Sequence, residues 1–365
     1  MITESIISIN DLGYDDFFES KRKELKLDGF EIARVIVEYK GAYKVKNETG
    51  EYLAKITGKQ MFTASSREDY PAVGDWVAVT IPDKEHAVIH AILPRKTIIK
   101  RKQGTKNEIQ IIATNVDVAF IVQAVDRDYN INRFERYFVL AKDGGVRPVI
   151  ILNKSDLISR EELNSKKEEL KNKFGNIDLI LTSAINNDGL VQLELYIEKG
   201  KTYCFLGSSG VGKSTLINKL IGDNLIETKD ISDYYGRGRH TTTSREMYFL
   251  KSGGIVIDNP GMREVGIVDS EAGIDACFDK IKSLAQKCKY SDCTHTQEPG
   301  CAIISALKSG KIDKKEYSNY VNLKNESEYY EMTKIEKKQK DRQFGKFIKN
   351  VKGYLKKQGG KYSEE

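Results

Sequence analysis

Residues 207–214 read Gly-Ser-Ser-Gly-Val-Gly-Lys-Ser and satisfy the pattern G-x-x-x-x-G-K-[ST]. Upstream, Thr202 to Leu206 (TYCFL) is β-branched and aromatic, as a buried strand should be; downstream, Leu216, Ile217, Leu220 and Ile221 recur at the helical spacing of three and four. A strand therefore enters the turn and a helix leaves it, which is the setting a phosphate loop requires. Gly207, Gly210 and Gly212 let the backbone turn its N–H groups toward phosphate oxygens, and the dipole of the following helix adds to the attraction. In this pattern Lys213 reaches the β- and γ-phosphates and Ser214 holds Mg²⁺.

The loop does not name the base, but the order of the other motifs does. Asn153-Lys154-Ser155-Asp156 follows the strand pattern Val149 to Leu152 and precedes the loop. Thr182-Ser183-Ala184 follows the next apolar run, Ile177 to Leu181, and also precedes it. After the loop come the threonines 241 to 243, and then Asp258-Asn259-Pro260-Gly261 at the end of the strand Ile255 to Ile257. These are the five guanine-nucleotide elements in a consistent cyclic order, rotated so that base recognition comes first. Joining the termini of a compact domain and cutting it elsewhere preserves its packed sheet, so the rotation is physically reasonable.

In this order of motifs, together with the cysteine and histidine cluster described below, the chain resembles the circularly permuted GTPases of the RsgA (YjeQ/YloQ) family over roughly residues 30 to 330. The resemblance implies an α/β P-loop GTPase domain in permuted order, preceded by an OB-type β-barrel and followed by a mostly helical zinc-binding domain. It also implies a GTP-binding set: Asn153, Lys154, Asp156, Ser183 and Ala184 on the base side; Gly207, Ser208, Ser209, Gly210, Val211, Gly212, Lys213, Ser214 and Thr215 in the loop; and Thr242, Asp258 and Gly261 on the phosphate side. Magnesium falls to Ser214, Thr242 and Asp258. Met262 stands where many GTPases place a glutamine that orients the attacking water, and a thioether cannot do that. The family assigns a hydrolytic role to the histidine matching His240, in GRGRHTTT. Threonine is usual where Asn259 stands, and Gly210 replaces the asparagine of potassium-activated relatives.

The chain has 365 residues, enough for two or three domains, and no stretch approaches the length of an apolar membrane span. The start, MITESIISIN, lacks a basic, apolar leader, so a cytoplasmic protein is expected. Five cysteines in such a chain make a disulfide framework improbable. Residues 1–28 carry too few apolar side chains for a core and read as a docking helix with a linker. From Gly29 to about residue 105, short alternating runs (Ile32 to Val37, Tyr52 to Ile56, Trp76 to Ile81, Ala87 to Leu93) separated by turns such as Asn47 to Gly50 fit a small barrel. The basic run Arg95, Lys96, Lys100, Arg101, Lys102 and Lys106 that follows reads either as a solvated face or as a contact for phosphate backbone. The GTPase domain spans about 106–270, with helical spacing at Ile131, Phe134, Phe138 and Ala141.

In the segment 271–330, Ile274, Cys277, Phe278, Ile281 and Leu284 mark an amphipathic helix, and Cys288, Cys293, His295 and Cys301 follow in the spacing C-x4-C-x-H-x5-C. Three thiolates and an imidazole suit tetrahedral zinc with no open position, hence a structural site. Cys204 and Cys277 lie on apolar faces and read as core. The tail 331–365 is basic: between Met332 and Lys361 there are eleven Lys or Arg and two Asp or Glu, against a net charge of +6 for the chain. Aromatic and aliphatic residues interleave at helical spacing, which fits RNA or, as the competing reading, an acidic membrane surface.

Two function classes follow. One is a GTPase that binds the small ribosomal subunit and its rRNA and hydrolyses GTP during late maturation, a monomer without membrane contact. The other is a P-loop enzyme of small-molecule metabolism with accessory substrate domains. A weaker third is an RNA-binding module that retains nucleotide without useful turnover.

Overall fold

Residues 8–28 use the barrel's apolar surface in place of a core of their own. A short 3₁₀ turn (Ile9–Leu12) and helix α1 (Asp16–Glu24) bring Leu12, Tyr14, Phe18 and Leu27 onto Ile32, Trp76, Ala78 and Leu93. The computed structural model describes residues 8–103, 108–126, 129–222, 245–259 and 270–332, with single positions 266, 336 and 342. Thr242, His240, Gly261, Met262, Lys106 and nearly all of the basic tail lie outside them.

Alternation of apolar and polar residues sets three antiparallel strands, β1 (Glu31–Tyr39), β2 (Ala42–Lys46) and β3 (Glu51–Ile56). Asn47 makes the turn between the last two, its Oδ1 accepting from the N–H groups of Thr49 and Gly50 at 2.9 and 3.0 Å. Helix α2 (Gly58–Thr63) and a 3₁₀ turn (Arg67–Asp69) carry the chain to β4 (Trp76–Thr80) and β5 (His86–Ile92). β4 pairs with β1, and β5 pairs with both β4 and β3, so the five strands close in the order 1-2-3-5-4. Closure leaves no free edge, and Val35, Tyr43, Val45, Ala54, Val77 and Ile89 fill the interior. This is the barrel the resemblance implied.

A two-stranded ribbon, β6 (Ile98–Gln103) with β7 (Glu108–Thr114), then leads to the α/β domain. Three cations of the basic run around it are paired within the chain. Arg95 binds both carboxylate oxygens of Asp75, at 2.8 and 2.7 Å, and the carbonyls of Glu68 and Tyr70. Lys96 pairs with Asp15 above the rings of Phe17 and Phe18, and Lys100 pairs with Glu68. Those three cations join parts of this chain to one another.

The α/β domain runs β8 (Val118–Ala124), α3 (Ile131–Asp143), β9 (Arg147–Asn153), α4 (Arg160–Phe174), β10 (Leu179–Thr182), α5 (Leu190–Tyr196), β11 (Thr202–Leu206), α6 (Lys213–Ile221), β12 (Glu246–Phe249) and β13 (Ile255–Asp258). The sheet order is β10-β9-β8-β11-β13-β12, parallel except for β12. Helices α5 and α6 cover one face and α3 the other. β9, β10, β11 and β13 therefore deliver their motifs to one edge, the carboxyl ends of the strands, where ligands bind in open α/β sheets. At the other side β12 pairs with β1 of the barrel through Val37 and Glu246, making one eleven-stranded sheet. A buried arginine fastens the same junction: Arg34 donates to the carbonyls of Leu12, Gly74 and Asn115 and to Thr202 Oγ1 at 2.5 to 3.3 Å. Burial lowers its guanidinium to about 10, which leaves it charged at neutral pH.

Beyond residue 270 come α7 (Glu271–Cys277), α8 (Asp279–Ala285), α9 (Ala302–Lys308) and α10 (Lys314–Glu331). The one amphipathic helix expected over 274–284 is thus two. The break falls at Phe278, whose backbone leaves the helical region (φ −118°, ψ 42°) and whose buried ring packs edge-on against Tyr320. These helices grip α3: Arg136 holds Glu326 by two bonds of 2.8 Å, Lys173 binds both Glu135 and Glu316, and Asp143 accepts from Gly273 N–H at 2.5 Å. Cys204 and Cys277 are buried, as expected.

Candidate active site and metal centre

The phosphate loop needs its glycines. Gly207 has φ +153° and a Cβ there would stand 2.3 Å from the Val122 carbonyl; Gly212 has φ +95° and a Cβ would stand 2.2 Å from Asn153 Nδ2. Backbone approach this close leaves no room for a side chain. Lys213 opens α6, is buried, and donates 2.8 Å bonds to the carbonyls of Gly207 and Ser208. Burial pulls its ammonium down to about 8, against the opposing pull of Asp258. Asp258, at the end of β13, is raised by its own burial and lowered by Lys213. The buried Asp258 carboxylate at the end of β13 and the Ser214 hydroxyl in the first turn of α6 offer hard oxygen donors of the kind Mg²⁺ takes. Tyr137 of α3, which the sequence did not single out, is buried near the Ser208 side chain, which offsets part of the upward push of burial on its phenol.

On the base side the structure divides the NKSD residues by role. Asn153 is buried at the end of β9: its Nδ2 donates to the Val211 carbonyl at 2.8 Å and its Oδ1 accepts from Thr182 Oγ1 at 3.0 Å. It therefore ties the base loops to the phosphate loop. Lys154 adopts φ +61° and its Nζ stands 3.1 Å from Asp126 Oδ2. A positive φ is uncommon for a lysine, and here it starts the single turn Ser155–Leu157 that holds Asp156 exposed. Ser183 is buried, its Oγ accepting from Asn186 N–H, and Ala184 follows half-buried. Asn259 is buried with neither amide atom hydrogen bonded among the described residues. The structure thus brings together Asn153, Lys154, Asp156, Ser183, Ala184, the loop 207–215 and Asp258.

The second centre lies between α8 and α9. Cys288 Sγ stands 3.5 Å from His295 Nδ1 and 3.9 Å from Cys301 Sγ; Cys301 Sγ stands 3.6 Å from the same nitrogen. With Cys293, all four ligand atoms lie within 4.8 Å of one another. Zinc bonds of about 2.3 Å to sulfur and about 2.0 Å to nitrogen give tetrahedral edges of roughly 3.5 to 3.8 Å, so the four side chains could hold such an ion. His295 takes a left-handed conformation (φ +64°), and its carbonyl accepts from Tyr317 Oη at 2.6 Å. Burial lowers its pKa and favours the neutral, ligating form. Glu298 shapes the loop by accepting from the N–H groups of Thr294, Thr296 and Gln297. Nothing in the residue pattern singled it out.

The comparisons with known proteins agree with this geometry. The family described as RsgA GTPase matches residues 92–268. The small ribosomal subunit biogenesis GTPase RsgA of Opitutus terrae is 38% identical over 335 residues, 88% of this chain and 90% of that protein. RsgA 2 of Lactiplantibacillus plantarum is 39% identical over 322 residues, again 88% and 90%. Among solved structures, YjeQ from Thermotoga maritima superposes with a TM-score of 0.58 at 29% identity, covering 80% of this chain and 96% of that one. YloQ, described as a circularly permuted GTPase, gives 0.57 at 22% identity over 83% and 97%, a likeness of fold. With its rotated motif order, closed barrel and C-terminal cysteine cluster, the chain belongs to the RsgA GTPase family.

Proposed function

We propose that this chain hydrolyses GTP on the small ribosomal subunit during its late maturation. One observation carries the reading: base-side and phosphate-side motifs meet at one sheet edge in a chain 38 and 39% identical to proteins whose names state small ribosomal subunit biogenesis. The metabolic P-loop alternative finds no support among these relatives. Asp156 accepts from the guanine N1–H and exocyclic amine, Lys154 lies along the base, and Ala184 N–H donates to O6. Adenine would leave these groups unpaired, which is the basis of rejection. The N–H groups of residues 207–215 and the Lys213 ammonium hold the phosphates. Ser214, Thr242 and Asp258 are the residues that would hold Mg²⁺, which neutralises charge on the β- and γ-oxygens when bound. By the family's motif the roles of γ-phosphate donor and of positioning the attacking water fall to Gly261 N–H and His240.

In this reading residues 29–105 form the barrel, 106–270 the GTPase domain and 271–330 a domain closed around one structural zinc, with 1–28 and 331–365 as extensions. The protein acts as a cytoplasmic monomer. Among the described residues no helix is long and apolar enough to cross a membrane.

Sedimentation with purified small subunits tests the proposal. More protein should pellet with a non-hydrolysable GTP analogue than with GDP, because switch segments ordered by the γ-phosphate add contacts. Removing residues 332–365 should weaken binding and flatten its salt dependence, since lysines on phosphates release counterions. Equal pelleting in both nucleotide states would count against the ribosomal reading.

A further inference from the structure

The barrel reaches the phosphate side of the nucleotide site through one carboxylate. Strand β12 lies between the two domains: Glu246 is paired with Val37 of β1 on one side and with Asp258 of β13 on the other. Arg245, directly before it, is largely buried, and its Nη1 stands 3.4 Å from Oε2 of Glu38 in β1. Glu38 Oε1 takes the guanidinium of Arg67, from the 3₁₀ turn between β3 and β4. Burial lowers the Arg245 pKa, Glu38 raises it, and the nearby charges of Arg101 and Arg67 lower it further. Glu38 is thus the anion placed between two cations of different domains, one residue away from the strand pairing that links barrel and α/β sheet among the described residues.

We propose that Glu38 is a positioning residue for GTP hydrolysis: by holding Arg245 at the head of β12 it sets the strand that flanks Asp258. Without the carboxylate, Arg245 and Arg67 repel each other across the junction, and β12 loses its charged anchor on the barrel. Asp258 then loses the neighbour that fixes its backbone. The base side, built on β9 and β10, is remote from this strand and keeps its geometry. The effect therefore falls on the γ-phosphate and magnesium state and spares the guanine contacts. The inference rests on Asp258 serving the magnesium side; that reading fails separately if Asp258→Asn leaves magnesium-dependent analogue binding intact.

The test compares Glu38→Gln with the parent full-length chain in three measurements: the affinity for GDP without magnesium, the affinity for a magnesium-bound non-hydrolysable GTP analogue, and kcat. GDP affinity should stay within about twofold, whereas analogue affinity and kcat should each fall about tenfold, the split expected of an interaction made on the phosphate side. The conservative variant Glu38→Asp keeps an anion between Arg245 and Arg67 and should retain most of both. An unchanged kcat in Glu38→Gln, a parallel loss of GDP and analogue affinity with a lower Tm, or equal losses in Glu38→Asp and Glu38→Gln would each overturn the proposal.

Discussion

Asp156→Asn should cost GTP affinity on the order of 10³-fold, because two charge-assisted hydrogen bonds to guanine, each worth roughly 2 kcal/mol, are lost together. The amide instead offers a donor to the C2 carbonyl of xanthine, so xanthosine triphosphate should become the better ligand. The fold should not suffer. Asp156 is exposed on the turn Ser155–Leu157, and the burial and cross-ties of the NKSD segment belong to its neighbour Asn153. Competition of both triphosphates against a fluorescent GDP, with Tm as a control, reads the exchange. Unchanged GTP affinity in a folded variant would show that the base is read elsewhere.

Removing the zinc should have the second large effect. Binding of zinc by small cysteine-rich modules contributes on the order of 10 kcal/mol to their folding, and the loop 288–301 has few other means of staying closed. Its long-range ties are the Lys289 N–H to Gly300 carbonyl bond and Tyr317 on the His295 carbonyl. Cys301 also caps α9, its Sγ accepting from Ile304 N–H at 3.5 Å, so the loss should spread into that helix. Freshly prepared protein should carry one zinc per chain, and chelation should open residues 286–301 to protease. The α3 side should hold on longer through Arg136 and Glu326. Well under one zinc per chain, or a protease pattern untouched by chelator, would contradict the assignment.

What the sequence made legible were elements with both a period and a stop signal. Strands β9, β11 and β13 are apolar runs that end in NKSD, GSSGVGKS and DNPG, and α3 and α6 carry apolar residues at every third or fourth place. What stayed hidden was mostly non-local. The first strand of the ribbon β6–β7 carries Lys100, Arg101 and Lys102, so it reads as part of a charge run, and beyond its local partner it bridges through Lys102 to Gly266. β12 is four residues long, and its place is set by β13 on one side and the barrel on the other. Arg95, Lys96 and Lys100 looked like a surface charge run because Asp75, Asp15 and Glu68, which hold them, lie 20 to 81 residues away in sequence. The motif implies a guanine contact for Asn153; that its buried amide also ties the loops to one another is something no local pattern reveals.

The central claim is that the small subunit completes a guanine-nucleotide site that turns over slowly by itself. Permutation places Asp258 only thirteen residues before α7, the first helix of the module that carries the cysteine cluster, so a partner gripping that module can act on the phosphate side directly. The most direct measurement is phosphate release from GTP with and without purified small subunits, for the parent chain and for His240→Ala. The account predicts that subunits raise the parent's rate well above its basal value. It also predicts that His240→Ala binds nucleotide as the parent does yet hydrolyses about a hundredfold more slowly when stimulated, the scale of a lost group that positions the reacting water. A parent rate indifferent to subunits would contradict the account, and equal stimulated rates for parent and variant would remove His240 from it.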